Sequence, residues 1–144
     1  MYAYAPNVWG WVDPLGLKCG KATIRQYENG YPEGHFTIEI DDGINKLHTE
    51  QIITSQDFST ATIRKVHSTG NPVNTKVIEI SDATSAMNYQ KSLINKELGS
   101  YDVLNNSCLS HAVDVLEQGG EKAVVKTRLG YAKFLRKNGF DLLK

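Results

Sequence analysis

Cysteine is scarce in this chain: Cys19 and Cys108 are the two in 144 residues. A small domain stapled by disulfides uses more than one bridge, so the fold must rest on a packed core. Cys19 sits in a Gly-Lys-Cys-Gly setting read as a bystander, and both thiols are expected to stay reduced. An excess of basic charge is also missing, with 16 Lys and Arg balancing 16 Asp and Glu. Nucleic-acid binders carry a basic surplus, so none is expected as a partner, although Lys133, Arg136 and Lys137 cluster near the end. No apolar run approaches the roughly 18 residues of a membrane span. The first residues show no basic stretch leading into an apolar one, so no secretory signal is expected. Internal repeats and low-complexity segments are absent.

The residues that are present read as an ordinary globular domain. Hydrophobic residues make up 40% and charged ones 22%, enough apolar material for one core. Ala22–Tyr27, the segment from His35, Gln51–Ile53, Ala61–Val66 and Thr75–Ile80 carry strand signals. Ser81 or Asp82 is expected to cap a helix running to about Leu98 and stopped by Gly99. A last helix from near Thr127 to Lys137 should bury Leu129, Ala132, Phe134 and Leu135. The layout is α+β: a small antiparallel sheet packed against helices.

Chemistry concentrates in Asn105-Asn106-Ser107-Cys108-Leu109-Ser110-His111, which opens an amphipathic helix closed by Gly119-Gly120. Asn106 or Ser107 can cap that helix through a side-chain oxygen, and a glycine ends it. Cys108 then lies in the first turn, where free N–H groups and the helix dipole favour an anion. It is the candidate nucleophile.

A thiol nucleophile needs a base, and the base needs an orienting group. Phe36, Ile38 and Ile40 alternate with His35, Thr37 and Glu39, the period of a half-buried strand. Asp42-Gly43 signals a two-residue hairpin turn. With that turn Asp41 pairs with Ile44 and Thr37 with His48, which puts His48 a diagonal step from His35 on one face. His35 is the expected base and His48 the expected orienting group, with Glu39 and Asp41 on the same strand face as alternatives. Tyr101 or Asn106 could join the Cys108 N–H in an oxyanion hole. Cys108 and His111 make a Cys-x-x-His pair, but zinc needs about four ligands, so no metal and no cofactor is expected. His67 is expected to face solvent.

The order histidine, second polar residue, cysteine resembles the circularly permuted branch of the papain-like superfamily, the lecithin:retinol acyltransferase group. The likeness spans roughly residues 34–118 and departs at Ser107, between Asn106 and Cys108, and at Leu109-Ser110. It implies a papain-like core in permuted order and a Cys-His thiol mechanism. A second likeness covers Tyr2-Ala3-Tyr4-Ala5-Pro6-Asn7-Val8-Trp9-Gly10-Trp11-Val12-Asp13-Pro14-Leu15-Gly16-Leu17. That stretch resembles the closing segment of a bacterial Rhs repeat core, where an Asp-Pro-Leu-Gly-Leu element marks the junction with a variable C-terminal toxin.

Together these imply two parts, residues 1–18 as the end of an Rhs core with its processing junction and 19–144 as a papain-like toxin domain. The implied function is an antibacterial effector toxin. A delivery system would carry it into a competitor bacterium, where it acts as a cysteine protease on a cytoplasmic protein. Deamidation, peptidoglycan amide cleavage and acyl transfer use the same dyad. A non-enzymatic binding module and a nuclease toxin are the readings from other classes. A toxin of this kind implies a cognate immunity protein and a protein substrate as partners.

Overall fold

A computed structural model describes residues 18–28, 34–53, 60–102 and 104–140. The expected Rhs-like leader, residues 1–17, lies outside them. Five strands are followed by three helices: β1 (Gly20–Tyr27), β2 (His35–Asp41), β3 (Lys46–Ile53), β4 (Ala61–Lys65), β5 (Asn74–Ile80), α1 (Ala83–Leu93), α2 (Cys108–Gln118) and α3 (Arg128–Lys137). All strand pairs are antiparallel, in the order β4-β3-β2-β1-β5. The expected α+β architecture is therefore present.

Strand alternation divides the sheet into two faces. Ala22 and Ile24 on β1, Phe36, Ile38 and Ile40 on β2, Leu47 on β3 and Ile80 on β5 form one core with α1 and α2. Withdrawing each isoleucine side chain from water contributes about 2 kcal/mol. The opposite face carries Arg25, His35, Thr37, Glu39, His48, Glu50 and Arg64, a polar set fixed by the same period of two.

The hairpin between β2 and β3 differs from the expected one. Asp42 and Asn45 close the turn (Asp42 N–H to Asn45 C=O, 3.1 Å), so Gly43 and Ile44 are the central residues. Gly43 has φ +91°, the left-handed conformation that a turn with glycine in first central place requires. The Asp42 carboxylate accepts from the N–H groups of Ile44 (2.9 Å) and Asn45 (2.7 Å), an Asx-type bond that fixes the turn here. Asp41 consequently pairs with Lys46, Glu39 with His48 and Thr37 with Glu50, two residues away from the expected register.

Two helix readings also change. Asp82 caps α1, but the helix ends at Leu93 rather than near Leu98. The chain after it turns to β4 instead: Asn95 N–H bonds Ile63 C=O at 2.8 Å, and Leu98 N–H bonds Ala61 C=O at 2.7 Å. Edge-strand carbonyls thus outcompete further helical turns. Thr127 caps α3, whose buried stripe is Tyr131 and Leu135, with Phe134 partly buried. Leu129, expected inside, is 63% exposed, because two residues on a helix are about 200° apart and Tyr131 takes the inner side. Phe140 then packs edge-on against Phe36, ring centroids 5.5 Å apart.

Candidate active site

Helix α2 places the thiol. Ser107, in extended conformation, is its N-cap, and its side chain accepts from the Ser110 N–H at 3.1 Å. The Ser110 hydroxyl in turn accepts from the Ser107 N–H at 2.7 Å. This reciprocal capping box satisfies two of the otherwise unpaired N–H groups of the first turn. It leaves the Cys108 N–H, which has no hydrogen-bond partner among the described residues. Cys108 is the first helical residue and is buried. Gly120, with φ +99°, supplies the left-handed residue just past the helix end.

His35, the first residue of β2, lies beside both Cys108 and Glu50. Its Nε2 lies 2.6 Å from Glu50 Oε1. With the Nε2 hydrogen given to that carboxylate, Nδ1 is the nitrogen left to exchange a proton with the thiol. Burial alone would lower the His35 pKa; hydrogen bonds to Cys108 and Glu50, and the negative charge of both, outweigh it and raise it to about 9. The site therefore favours the imidazolium form of His35.

Glu50 owes its position to the turn register. It faces Thr37 across the β2–β3 ladder, one diagonal step from His35, the place that a turn centred on Asp42-Gly43 would have given to His48. A shift of two residues keeps every side chain on its face and changes only its neighbour. Burial pushes the Glu50 carboxyl up, but the hydrogen bonds from His35 and Arg64 win and hold it below the usual carboxylate range. Arg64 on β4 donates its Nε–H to Glu50 Oε2 at 2.6 Å. The result is a chain of four side chains: Arg64, Glu50, His35, Cys108.

The other orienting candidates are engaged elsewhere. His48 is hydrogen-bonded to Thr37 Oγ1 at 2.6 Å. Burial and the nearby Arg25 charge lower its pKa, so it is neutral. Glu39 is paired with Arg25 at 3.0 Å, and Asp41 accepts from the Gly43 N–H at 2.8 Å at the far end of β2. None of these three contacts His35 in the way Glu50 does.

Asn106 is not available as an oxyanion donor. Its Nδ2 gives its hydrogens to the carbonyls of Leu98 and Ser100 (2.8 and 2.7 Å), and its Oδ1 accepts from Gln51 Nε2 at 2.9 Å. Its role is to brace the loop that delivers Cys108. Tyr101 lies in that loop with its hydroxyl buried. His111 points into the core, 2.8 Å from Thr49 Oγ1; burial lowers its pKa to about 4, so it is a neutral packing residue. The Cys-x-x-His pair is thus split between two environments. Among the described residues no cluster of three or more His, Cys, Asp or Glu could hold a metal ion. None of the helices there is long and apolar enough to cross a membrane.

No protein-family model, curated protein or solved structure matches this chain. The geometry brings two of the three leading candidates, Cys108 and His35, together, and sets Glu50 against His35 where His48 was expected. Glu50, Arg64 and Gln51 escaped the sequence reading. The signal that points to Glu50 is Gly43, whose place at the first central position of the turn sets the register.

Proposed function

We propose that this domain is a thiol hydrolase in which Cys108, His35 and Glu50 form a catalytic triad, and that it serves as the delivered toxin of a bacterial Rhs protein. The observation that carries the enzyme reading is His35 held between the helix-start thiol and an ionised glutamate. His35 takes the Cys108 proton at Nδ1 while Glu50 stabilises the imidazolium through Nε2. The thiolate adds to a substrate carbonyl, and the Cys108 N–H supports the oxyanion. His35 then returns the proton to the leaving amine, giving a thioester. Water, deprotonated by the same imidazole, releases the acid and restores the thiol.

The favoured bond is a peptide bond of a cytoplasmic protein in the target cell. The support is the pair of unbridged cysteines, with Cys19 exposed and Cys108 buried, which suits a reducing compartment. The toxin assignment rests on the Rhs-like residues 2–17, and with it comes a cognate immunity protein.

The test is expression in a bacterium lacking the immunity protein, with Cys108→Ala as control and proteomics of newly formed protein termini. Growth arrest with new termini, both absent in Cys108→Ala, is the expected result. Arrest accompanied by one-dalton shifts at glutamine would reassign the reaction to deamidation. Undiminished arrest by well-expressed Cys108→Ala would end the enzyme reading.

A further inference from the structure

An open groove of about 720 Å³ runs between β5 and the segment from the end of α2 to α3. It lies at the C-terminal end of α2, about 16 Å along the helix from the end that carries Cys108. Lys76, Lys122, Lys133 and Lys137 line it, against one carboxylate, Glu121. All four lysines are exposed and none forms an ion pair among the described residues. In a chain with 16 basic and 16 acidic residues, this is a local excess rather than a global one.

Between the lysines the groove is apolar. Val77 is 52% exposed and Val125 67% exposed, and both line it. β5 is also the last strand of the sheet among the described residues. A terminal strand presents backbone N–H and C=O groups that an extended segment can pair with. Apolar side chains, a strand edge and unpaired cations thus meet on one surface.

We propose that this groove docks an extended acidic segment of a partner protein, laid beside β5 with its carboxylates on the helix side toward the lysines and its alternate, apolar side chains on the other face beside Val77. Charge complementarity selects the occupant. A second copy would bring the same four lysines and repel, while an acidic strand neutralises them and is steered in by their field. Because the groove and the thiol lie at opposite ends of α2, docking leaves the Cys108 end uncovered. The surface does not depend on the triad being catalytic.

The test uses a short fluorescent peptide alternating valine with glutamate, its valine–lysine counterpart, and polyglutamate, followed by anisotropy. Binding by the Val–Glu peptide that weakens with salt is expected, with amide shifts at Val77 and Val125 in NMR spectra. The Lys133→Glu/Lys137→Glu variant, its fold checked by circular dichroism, should bind that peptide at least tenfold more weakly and gain affinity for the lysine peptide. Absence of Val–Glu binding, or equal affinity in the charge-reversed variant, overturns the proposal. Polyglutamate binding as tightly would overturn the strand-docking part, and groove-dependent self-association in sedimentation would replace the acidic partner with a second copy.

Discussion

Gln51 and Asn106 are joined by a 2.9 Å hydrogen bond that ties the loop before Cys108 to strand β3. Gln51 adjoins Glu50, whose side chain emerges from the other face to hold His35. One strand therefore sets both the thiol and the group that orients its base. Replacing Gln51 with Ala leaves Asn106 Oδ1 short of a partner, a loss of about 1–3 kcal/mol. Thermal denaturation should register that loss, and growth inhibition should drop while the His35 titration stays in place. An unchanged melting temperature would show that the brace is redundant.

Glu50 and His48 are separable by mutation. Glu50→Gln keeps the shape but removes the charge that stabilises the imidazolium. Activity should fall about a hundredfold or more, in the range of a lost acid–base element. His48→Ala should cost far less activity, since His48 bonds Thr37 rather than His35. The reverse ranking in a growth or turnover assay would restore His48 as the orienting residue.

The His35 imidazole gives a direct readout without a substrate. Its NMR titration midpoint should lie near 9, against about 6.5 for an unperturbed histidine. Cys108→Ala and Glu50→Gln should each move it downward, because each removes a hydrogen bond and a negative neighbour. The raised pKa also fixes a sign. His35 stabilises the fold fully below about pH 6.5, and that contribution is lost as pH rises through 9. A midpoint near 6.5 in the wild type would dissolve the ion-pair description.

His111 has the opposite sign. Its folded pKa is about 4, so the unfolded chain binds a proton first as pH falls below about 6.5. Stability present above pH 6.5 should be lost progressively toward pH 4, by about 3 kcal/mol at the lower end. Glu50, held below the carboxylate range, adds a loss of the same sign beginning nearer its unfolded value. Denaturant unfolding of wild type and His111→Gln across this window should show a shallower slope in the variant. Parallel slopes would mean that other groups control acid stability.

Local patterns explain why the strands, Cys108 and His35 could be read from the chain. Period-two alternation needs only neighbours, and the cap at Ser107 lies beside the residue it positions. The choice between His48 and Glu50 was not local in this sense. Both residues sit on the same face in either register, so the apolar pattern of Phe36, Ile38 and Ile40 is blind to the difference. The decision falls to Asp42 and Gly43, through side-chain bonds to Ile44 and Asn45 that only the folded turn reveals. The early end of α1 had a similar cause, since it depends on carbonyls of β4 distant in sequence.

The turn at residues 42–45 also bears on how such a site can diversify. It lies at the opposite end of the hairpin from His35 and Glu50, yet by choosing the register it chooses which residue of β3 reaches His35. Moving the glycine one place along an exposed loop would exchange a carboxylate for an imidazole without disturbing which face is buried. On the proposed triad, a surface substitution in this turn would therefore change the partner of His35 while leaving the buried core as it is.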